Sequence, residues 1–154
     1  MNQRAEVLDA LDAEVVRIVH RAKRRIRDMA AAVHPDLAPG GYLMLGRVHD
    51  HGPVRASSLA EAFDADKAAV SRQIQHLVEL GLLTRVDDPN DGRAHLLSTT
   101  SEGADRILAV RRARRAELDQ TLGDWQGHEL EELVAQLSHY NDSMDPQPLA
   151  QSTL

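Results

Sequence analysis

The strongest candidates for chemistry lie on one side of a helix that the sequence predicts over residues 67–80. At about 100° per residue, Val70, Ile74 and Leu77 fall on one apolar side of this helix. The opposite side carries Ala68, Arg72, Gln75 and Glu79, with Ala69, Ser71 and His76 on its shoulders. The candidate DNA contacts on this helix are Lys67, Ala68, Ala69, Ser71, Arg72 and Gln75. Small residues let a backbone approach base edges, and arginine and glutamine can form paired hydrogen bonds with guanine and adenine respectively. The pattern is typical of a helix that reads the DNA major groove, and equally of an amphipathic helix with a solvated face.

A second candidate lies at the tip of a predicted hairpin. Gly92 permits the turn, Asp91 can pair with Arg93, and Arg93 can enter a minor groove, where narrow width deepens the negative potential. The acidic residues Asp87 and Asp88 on the hairpin stem oppose attraction to DNA. The alternative interpretation is an ordinary turn that carries one exposed arginine.

Other polar and basic residues are weaker candidates. Ser57 lies in the first turn of a helix predicted over residues 56–63, where backbone amides can bind a phosphate; otherwise it is plain polar surface. Arginines cluster at residues 21–27 and 111–115 but spread around their helices. We interpret them as solvated faces or intersubunit salt bridges, and an anionic effector pocket is the alternative.

No pattern of residues indicates an enzyme or a bound cofactor. The chain has no phosphate-binding Walker loop, nucleophile elbow or dinucleotide fingerprint. Ser71 and His76 are about 140° apart around their helix and therefore cannot pair. His49 and His51 are one residue apart and no histidine pair has helical metal-ligand spacing, so we expect no metal. The absence of cysteine excludes disulfides and thiolate metal sites.

Composition limits the size, location and partners of the protein. A chain of 154 residues suffices for one small domain plus helices that dimerise it. The net charge of −6 argues against a polyanionic partner, although binding depends on local potential rather than on the total. No apolar run reaches the length of a membrane span, and the N-terminus does not resemble a signal peptide. We therefore expect a cytoplasmic protein with no membrane partner, and the abundance of Ala and Arg over Lys suggests a bacterial source.

The first predicted element is a long helix over residues 5–33. Its apolar residues, which include Leu8, Leu11 and Val15, recur in steps of three and four. Such a helix is about 43 Å long, so we expect part of its apolar stripe to pack on another chain. Pro39, Gly40 and Gly41 predict a loop after it.

The remaining elements predict a winged helix-turn-helix. Asp66 is placed to cap the helix at 67–80, and Gly81 is placed to end it. The other predicted elements are helices at 42–49, 56–63, 100–122 and 129–139, a strand stub at Val54 and Arg55, and hairpin strands at 82–87 and 94–99. The fold class is therefore mainly α with a small β-hairpin wing, flanked by long helices.

The expected organisation has four parts. They are an N-terminal dimerisation helix (5–33), a winged helix-turn-helix DNA-binding domain (40–99), C-terminal dimerisation helices (100–141) and a frayed tail (142–154).

Three stretches resemble the MarR family of transcription regulators. They are Leu59-Ala60, Asp66-Lys67-Ala68-Ala69-Val70-Ser71-Arg72 and Leu77-Val78-Glu79-Leu80-Gly81-Leu82-Leu83-Thr84-Arg85. The wing Asp88-Pro89-Asn90-Asp91-Gly92-Arg93 and the following Thr100-Ser101-Glu102-Gly103 also look like those of that family. The family commonly has a capping residue where this chain has Arg55.

The resemblance implies a homodimer that binds a pseudo-palindromic operator in double-stranded DNA. It also implies, as in many members, release of the DNA when a small aromatic or lipophilic effector binds. We expect the dimer contacts to come from the terminal helices, at Leu8, Leu11, Val15, Leu118, Leu122, Leu130, Leu133, Val134 and Leu137. The predicted function is a homodimeric, sequence-specific repressor. The alternatives are a winged-helix protein-interaction module and an effector-binding protein without a DNA function.

Overall fold

Helices make up most of the chain in the computed structural model, which describes residues 3–144. The helices are α1 (Gln3–Val33), α2 (Pro39–His51), α3 (Ala56–Ala62), α4 (Lys67–Glu79), α5 (Ser101–Thr121) and α6 (Gly127–Met144). The strands are β1 (Val54–Arg55), β2 (Leu83–Asp88) and β3 (Asp91–Thr99). This order confirms the predicted fold class of a helical protein with a small β wing inserted between α4 and α5.

The strands form one antiparallel sheet in the order β1-β3-β2. The predicted strand stub at Val54 and Arg55 is confirmed as β1, and Val54 pairs with Leu97 of the hairpin. β3 begins at Asp91, three residues before the predicted start at Ala94, so the connection between β2 and β3 is shorter than expected. The pairing is irregular between Asp87 and Asp88, at the point where the hairpin turns.

The core is built mainly from aliphatic side chains of α1 to α5 and of the two hairpin strands. Its largest fully buried side chains are Leu45, Val48, Leu59, Leu77, Leu82, Leu83 and Ile107. On α4, Val70, Ile74 and Leu77 are buried, which confirms the side of the helix that was predicted to face inward. Burying one such side chain contributes about 1.5–3 kcal/mol, so this side fixes the rotation of α4 about its axis.

Side-chain and glycine caps define both ends of α4. The carboxylate Oδ2 of Asp66 accepts a hydrogen bond from the backbone N–H of Ala69 over 3.0 Å. Gly81 follows the helix with φ of +72°, a left-handed conformation that glycine adopts without a Cβ clash. Both caps confirm the sequence prediction. The structured start and end place the polar side of α4 at a defined position on the surface.

Hydrogen bonds hold the start of α5 against Gly81 and Leu82, the two residues that precede β2. The Thr100 hydroxyl donates to the carbonyl of Gly81 over 2.6 Å and accepts from the backbone N–H of Gly103 over 2.9 Å. A Cβ on Gly103 would clash with the carbonyl oxygen of Leu82. Glycine is therefore required here because two backbone segments approach each other closely.

The predicted loop at Pro39, Gly40 and Gly41 is wrong, because these residues form the first turn of α2. Proline is tolerated at the first helical position, where its missing N–H would have no helical partner. Gly41 is buried, and a Cβ there would lie 2.7 Å from Cδ1 of Leu37. The glycine therefore serves close packing rather than a turn.

The last helix is longer than predicted. It begins at Gly127 rather than Glu129, because the side chain of Glu129 accepts a hydrogen bond from the backbone N–H of Gln126 over 2.7 Å. A glutamate at this position is a recognised helix-start signal. The helix also continues to Met144, so residues 142–144 are helical where a frayed tail was expected. The rest of the predicted tail, 145–154, lies outside the described residues.

The chain divides into two compact units, and the boundary falls inside α5 between Ala113 and Arg114. In the first unit, α1 contributes Ala30 and Val33 to the core, Ile26 and Met29 pack against it, and most side chains of the earlier turns are exposed. In the second unit, no residue of α6 is buried. None of the helices within residues 3–144 is both long enough and apolar enough to cross a membrane.

Candidate nucleic-acid interface

One face of α4 combines small residues with basic and polar side chains at the surface. Among the residues predicted to contact DNA, Lys67, Ala68, Ser71, Arg72 and Gln75 are exposed, and Ala69 is half-buried. Ala68, Arg72 and Gln75 lie opposite the buried Val70, Ile74 and Leu77 of the same helix, and Lys67 and Ser71 lie at the edge that faces α3. This face can approach a flat or grooved partner without disturbing the core. Contact with DNA by these residues remains a prediction.

Depressions flank α4 on two sides. One, of about 150 Å³, lies between α3 and α4, and brings together Ser57, Lys67 and Ser71 above an apolar floor. The other, of about 270 Å³, is lined by Ala69, Arg72 and His76, among others. The predicted residues Ser57, Lys67 and Ser71 therefore share one side of α4, while Arg72 lines the other.

The side-chain amide of Gln75 forms hydrogen bonds with two neighbouring side chains. Its Oε1 accepts a hydrogen bond from Arg85 over 3.1 Å, and its Nε2 donates to Glu79 over 2.9 Å. Arg85 lies on β2 and was not among the predicted site residues. The glutamate contact spans one helical turn and can be foreseen from spacing. The arginine contact crosses between elements and has no periodic signal.

His76 links α4 to the segment before α2. Its Nε2 lies 3.0 Å from the carbonyl oxygen of Asp36, to which it can donate a hydrogen bond. The backbone N–H of Asp36 in turn donates to Nδ1 of His34 over 3.1 Å. These contacts give His76 a structural role that sequence reasoning did not assign.

At the wing, Arg93 is exposed beside the tip of the hairpin. The expected pairing of Asp91 with Arg93 occurs through the backbone, because Oδ1 of Asp91 accepts from the main-chain N–H of Arg93 over 3.1 Å. The guanidinium of Arg93 takes no part in this hydrogen bond. The contact orders the turn that carries the Arg93 side chain.

Of the two stem aspartates that were expected to oppose DNA binding, Asp88 is paired within the chain. Its carboxylate is buried, with 5% of the residue exposed, and accepts from Nε of Arg55 over 2.9 Å and from the backbone N–H of Asn90 over 2.9 Å. The Asn90 hydrogen bond, followed by those from Arg55, holds the pKa of Asp88 below its usual value. Only Asp87 is exposed, with Nδ1 of His95 lying 3.4 Å from its carboxylate.

Arg111 forms an ion pair within the chain, rather than the intersubunit or solvated role that was expected. Its NH1 and NH2 atoms donate to the two carboxylate oxygens of Asp50 on α2 over 2.6 and 2.8 Å. The hydrogen bond from Arg111 lowers the pKa of Asp50, and the same contact raises the pKa of Arg111. The pair joins α2 to the first half of α5.

No group of three or more histidine and acidic side chains within residues 3–144 is arranged to hold a metal ion.

The predicted dimer residues leave much apolar surface uncovered in the single chain. Leu8, Leu11, Leu133, Val134 and Leu137 are exposed, Val134 by 63%. The other predicted residues, Val15, Leu118, Leu122 and Leu130, are half-buried. Ile18 and Val19, which belong to the predicted apolar stripe of α1, are also exposed, as are Val7 and Val16, which the sequence prediction did not include. Their role in dimerisation remains a prediction.

Known proteins are similar to this chain in both sequence and architecture. A model of the MarR family matches residues 36–94. The chain is 30% identical over 129 residues to an uncharacterized HTH-type transcriptional regulator, YxaD, of Bacillus subtilis, covering 84% of this chain and 89% of that protein.

Two solved structures share the fold. RV1404 from Mycobacterium tuberculosis superposes with a TM-score of 0.78 at 21% identity, covering 90% of this chain and 94% of the other. The MarR family transcription regulator SP03579 gives a TM-score of 0.74 at 19% identity, covering 93% and 97%. The sequence relationship and the shared winged helix-turn-helix agree. The chain therefore belongs to the MarR family of helix-turn-helix transcriptional regulators, which bind DNA and are not enzymes.

Proposed function

We propose that this regulator acts as a homodimer on a pseudo-palindromic operator, represses transcription there, and is released by a small aromatic or lipophilic effector. The observation that carries the DNA-binding part is the two-sided character of α4. One side is locked into the core by Val70, Ile74 and Leu77, and the other presents small, polar and basic residues to solvent.

In the proposed complex, α4 enters the major groove with its N-terminal turn foremost. Ala68 and Ala69 allow close approach, and Lys67, Ser71 and Arg72 contact bases and phosphates. Ser57 lies beside Lys67 and Ser71. In the proposed complex it contacts the phosphate backbone of the DNA. Arg93 on the wing reaches the neighbouring minor groove, with Asp91 ordering the turn beneath it.

The charge of the interface, rather than of the whole chain, supports this arrangement. The chain carries a net charge of −6, yet α4 presents Lys67 and Arg72. Burial and pairing with Arg55 reduce the repulsion that Asp88 would exert on a phosphate backbone. The acidic balance therefore does not oppose a local basic contact.

Dimerisation is supported by apolar side chains that one chain leaves exposed on α1 and α6. Covering an aliphatic side chain of this size stabilises an assembly by about 1.5–3 kcal/mol. In a two-fold dimer, the two α4 helices meet successive major grooves about 34–36 Å apart. The expected operator is accordingly two inverted half-sites spaced by one helical turn.

The repressor and effector parts of the proposal rest on the resemblance to the family. A thermal-shift screen of small aromatic acids, followed by DNA-release assays on the compounds that stabilise the protein, tests them. A compound that raises the melting temperature and displaces DNA supports an effector. An effector that strengthens DNA binding contradicts release.

The experiment that tests DNA binding is a gel shift with the upstream DNA of the protein's own gene and an unrelated duplex of equal length. We expect selective retardation of the upstream DNA and a steep loss of affinity between about 50 and 200 mM salt. Equal affinity for both duplexes contradicts sequence-specific binding. No binding to either at low salt favours a protein-interaction module or an effector-binding protein without a DNA function.

A further inference from the structure

The side chains of Arg85, Gln75 and Glu79 form a hydrogen-bonded chain across the exposed face of α4. NH2 of Arg85 donates to Oε1 of Gln75 over 3.1 Å, and Nε2 of Gln75 donates to Oε1 of Glu79 over 2.9 Å. All three residues are exposed. Because Arg85 lies on β2, the chain ties α4 to the first strand of the hairpin.

These contacts give the two ends of the Gln75 amide different partners. The guanidinium of Arg85 can only donate, and the carboxylate of Glu79 can only accept when ionised. A flipped amide would set N–H groups against the guanidinium and a carbonyl against the carboxylate. The two neighbours therefore favour one of the two amide orientations.

The amide keeps the capacity to bind a base in this orientation. A glutamine side chain has two N–H donors and two lone pairs on its oxygen. Arg85 occupies one lone pair and Glu79 one N–H, so one donor and one acceptor remain. Adenine offers the matching pair in the major groove, with an acceptor at N7 and a donor at N6. Guanine instead offers an acceptor at O6, which would face the acceptor Oε1 of Gln75.

We propose that Arg85 and Glu79 are positioning residues that hold the Gln75 amide in one orientation, so that Gln75 reads one adenine in each half-site. This inference rests on the proposed function, in which α4 enters the major groove. Holding the side chain before binding lowers the ordering cost of the contact. Fixing its orientation prevents the amide from turning its N–H groups toward the donor N6 of adenine, which would lose the matched pair of hydrogen bonds.

The test compares binding profiles of the full-length protein and its variants. The wild type selects sequences from a pool of random duplexes. Affinity is then measured for the enriched duplex and for each of its single-base-pair substitutions. The variants are Gln75→Ala, Arg85→Ala, Glu79→Ala and the double variant Gln75→Ala with Arg85→Ala. Arg112→Ala, which removes an equal charge from an exposed position on α5, is the matched control.

We expect one adenine per half-site whose replacement weakens wild-type binding about tenfold. Gln75→Ala loses that preference, and both Arg85→Ala and Glu79→Ala lose most of it while they keep the preferences at other positions. The double variant loses no more at that base pair than Gln75→Ala alone. Arg112→Ala keeps the whole wild-type profile.

Several outcomes overturn the inference while leaving the proposed function intact. One is retention of the adenine preference by both Arg85→Ala and Glu79→Ala. Another is an Arg85→Ala protein that binds all sequences more weakly by one factor with a reduced salt dependence, which marks Arg85 as a phosphate contact. A third is unchanged preference in Gln75→Ala. By contrast, a wild type that enriches no sequence overturns sequence-specific binding itself, before any variant is examined.

Discussion

Arg55 and Asp88 join β1 to the turn end of the hairpin through a contact between residues 33 positions apart in the chain. Nε of Arg55, on β1, donates to the buried Oδ2 of Asp88 over 2.9 Å, and Oδ1 of the same carboxylate accepts from the backbone of Asn90. The pair joins the two outer strands of the sheet, which are separated by β3. One carboxylate therefore orders both the sheet edges and the turn beside Arg93.

We predict that Asp88→Asn lowers the melting temperature at neutral pH, whereas Asp87→Asn, a change at an exposed neighbour, leaves it nearly unchanged. The pKa of Asp88 is lowered in the folded protein, so its carboxylate stabilises the fold above the unfolded pKa of about 3.9. This stabilisation is lost as the pH falls through the lower folded pKa. Melting curves from pH 7 to 3 should show the gap between wild type and variant narrowing below about pH 4. A gap that stays constant with pH contradicts a role for the ionised carboxylate.

Gly103→Ala is expected to destabilise the protein by about 3 kcal/mol, because its Cβ would clash with the backbone carbonyl of Leu82 and force two segments apart. Gly127→Ala is the matched control, since nothing lies within 4 Å of a Cβ at that position. The control should stay within about 0.5 kcal/mol of wild type. Urea unfolding measures both variants. Equal stability of Gly103→Ala and wild type would show that the start of α5 does not pack this closely against the backbone of Leu82.

Arg111→Ala is expected to raise the pKa of Asp50 toward its ordinary value, because the hydrogen bond from Arg111 is the main cause of its lowering. Both partners are partly exposed, so we expect a loss of only about 0.5–1 kcal/mol in stability. The loss should be full above about pH 4 and should shrink as acid protonates Asp50 in the wild type. Carboxyl NMR titration and urea unfolding measure these effects, with Arg112→Ala as control. An unchanged Asp50 titration in Arg111→Ala contradicts the pairing.

Leu137→Glu is expected to convert a dimer to a monomer, because it places a charge among the exposed aliphatic side chains of α6. Leu43→Glu on α2 is the matched control, since both leucines are 42% exposed. Light scattering should give twice the chain mass of 17.0 kDa for wild type and the control, and the single mass for Leu137→Glu. A dimer that survives Leu137→Glu places the interface elsewhere, and a monomeric wild type removes the dimer from the account.

Much of the fold follows from local sequence signals. Apolar steps of three and four residues predict α1 and α4, and Asp66 and Gly81 predict the ends of α4, because a single turn of backbone decides each feature. The wrongly predicted start of α2 has a packing cause. At Gly41 the tight approach of Leu37 explains a glycine that composition alone assigned to a loop.

Contacts within the candidate site could be predicted only where both partners lie on one element. The exposed side of α4 follows from its helical wheel, but the contacts that orient its side chains cross between elements. Arg85 meets Gln75 only after β2 has folded back beside α4, and Arg55 meets Asp88 only after the sheet has formed. The sequence shows the charges of these residues, while their partners depend on tertiary structure.

Footprinting with the wild type first identifies the upstream DNA segment that the protein protects from cleavage. The most direct test is then the affinity of wild type, Arg72→Ala and Arg112→Ala for that segment. Arg72 lies on the exposed side of α4, whereas Arg112 lies on α5 and contributes an equal charge. We predict that Arg72→Ala weakens specific binding by about 1–3 kcal/mol at fixed salt, and that Arg112→Ala binds as wild type does. Equal affinities for wild type and Arg72→Ala would contradict the claim that α4 reads the operator.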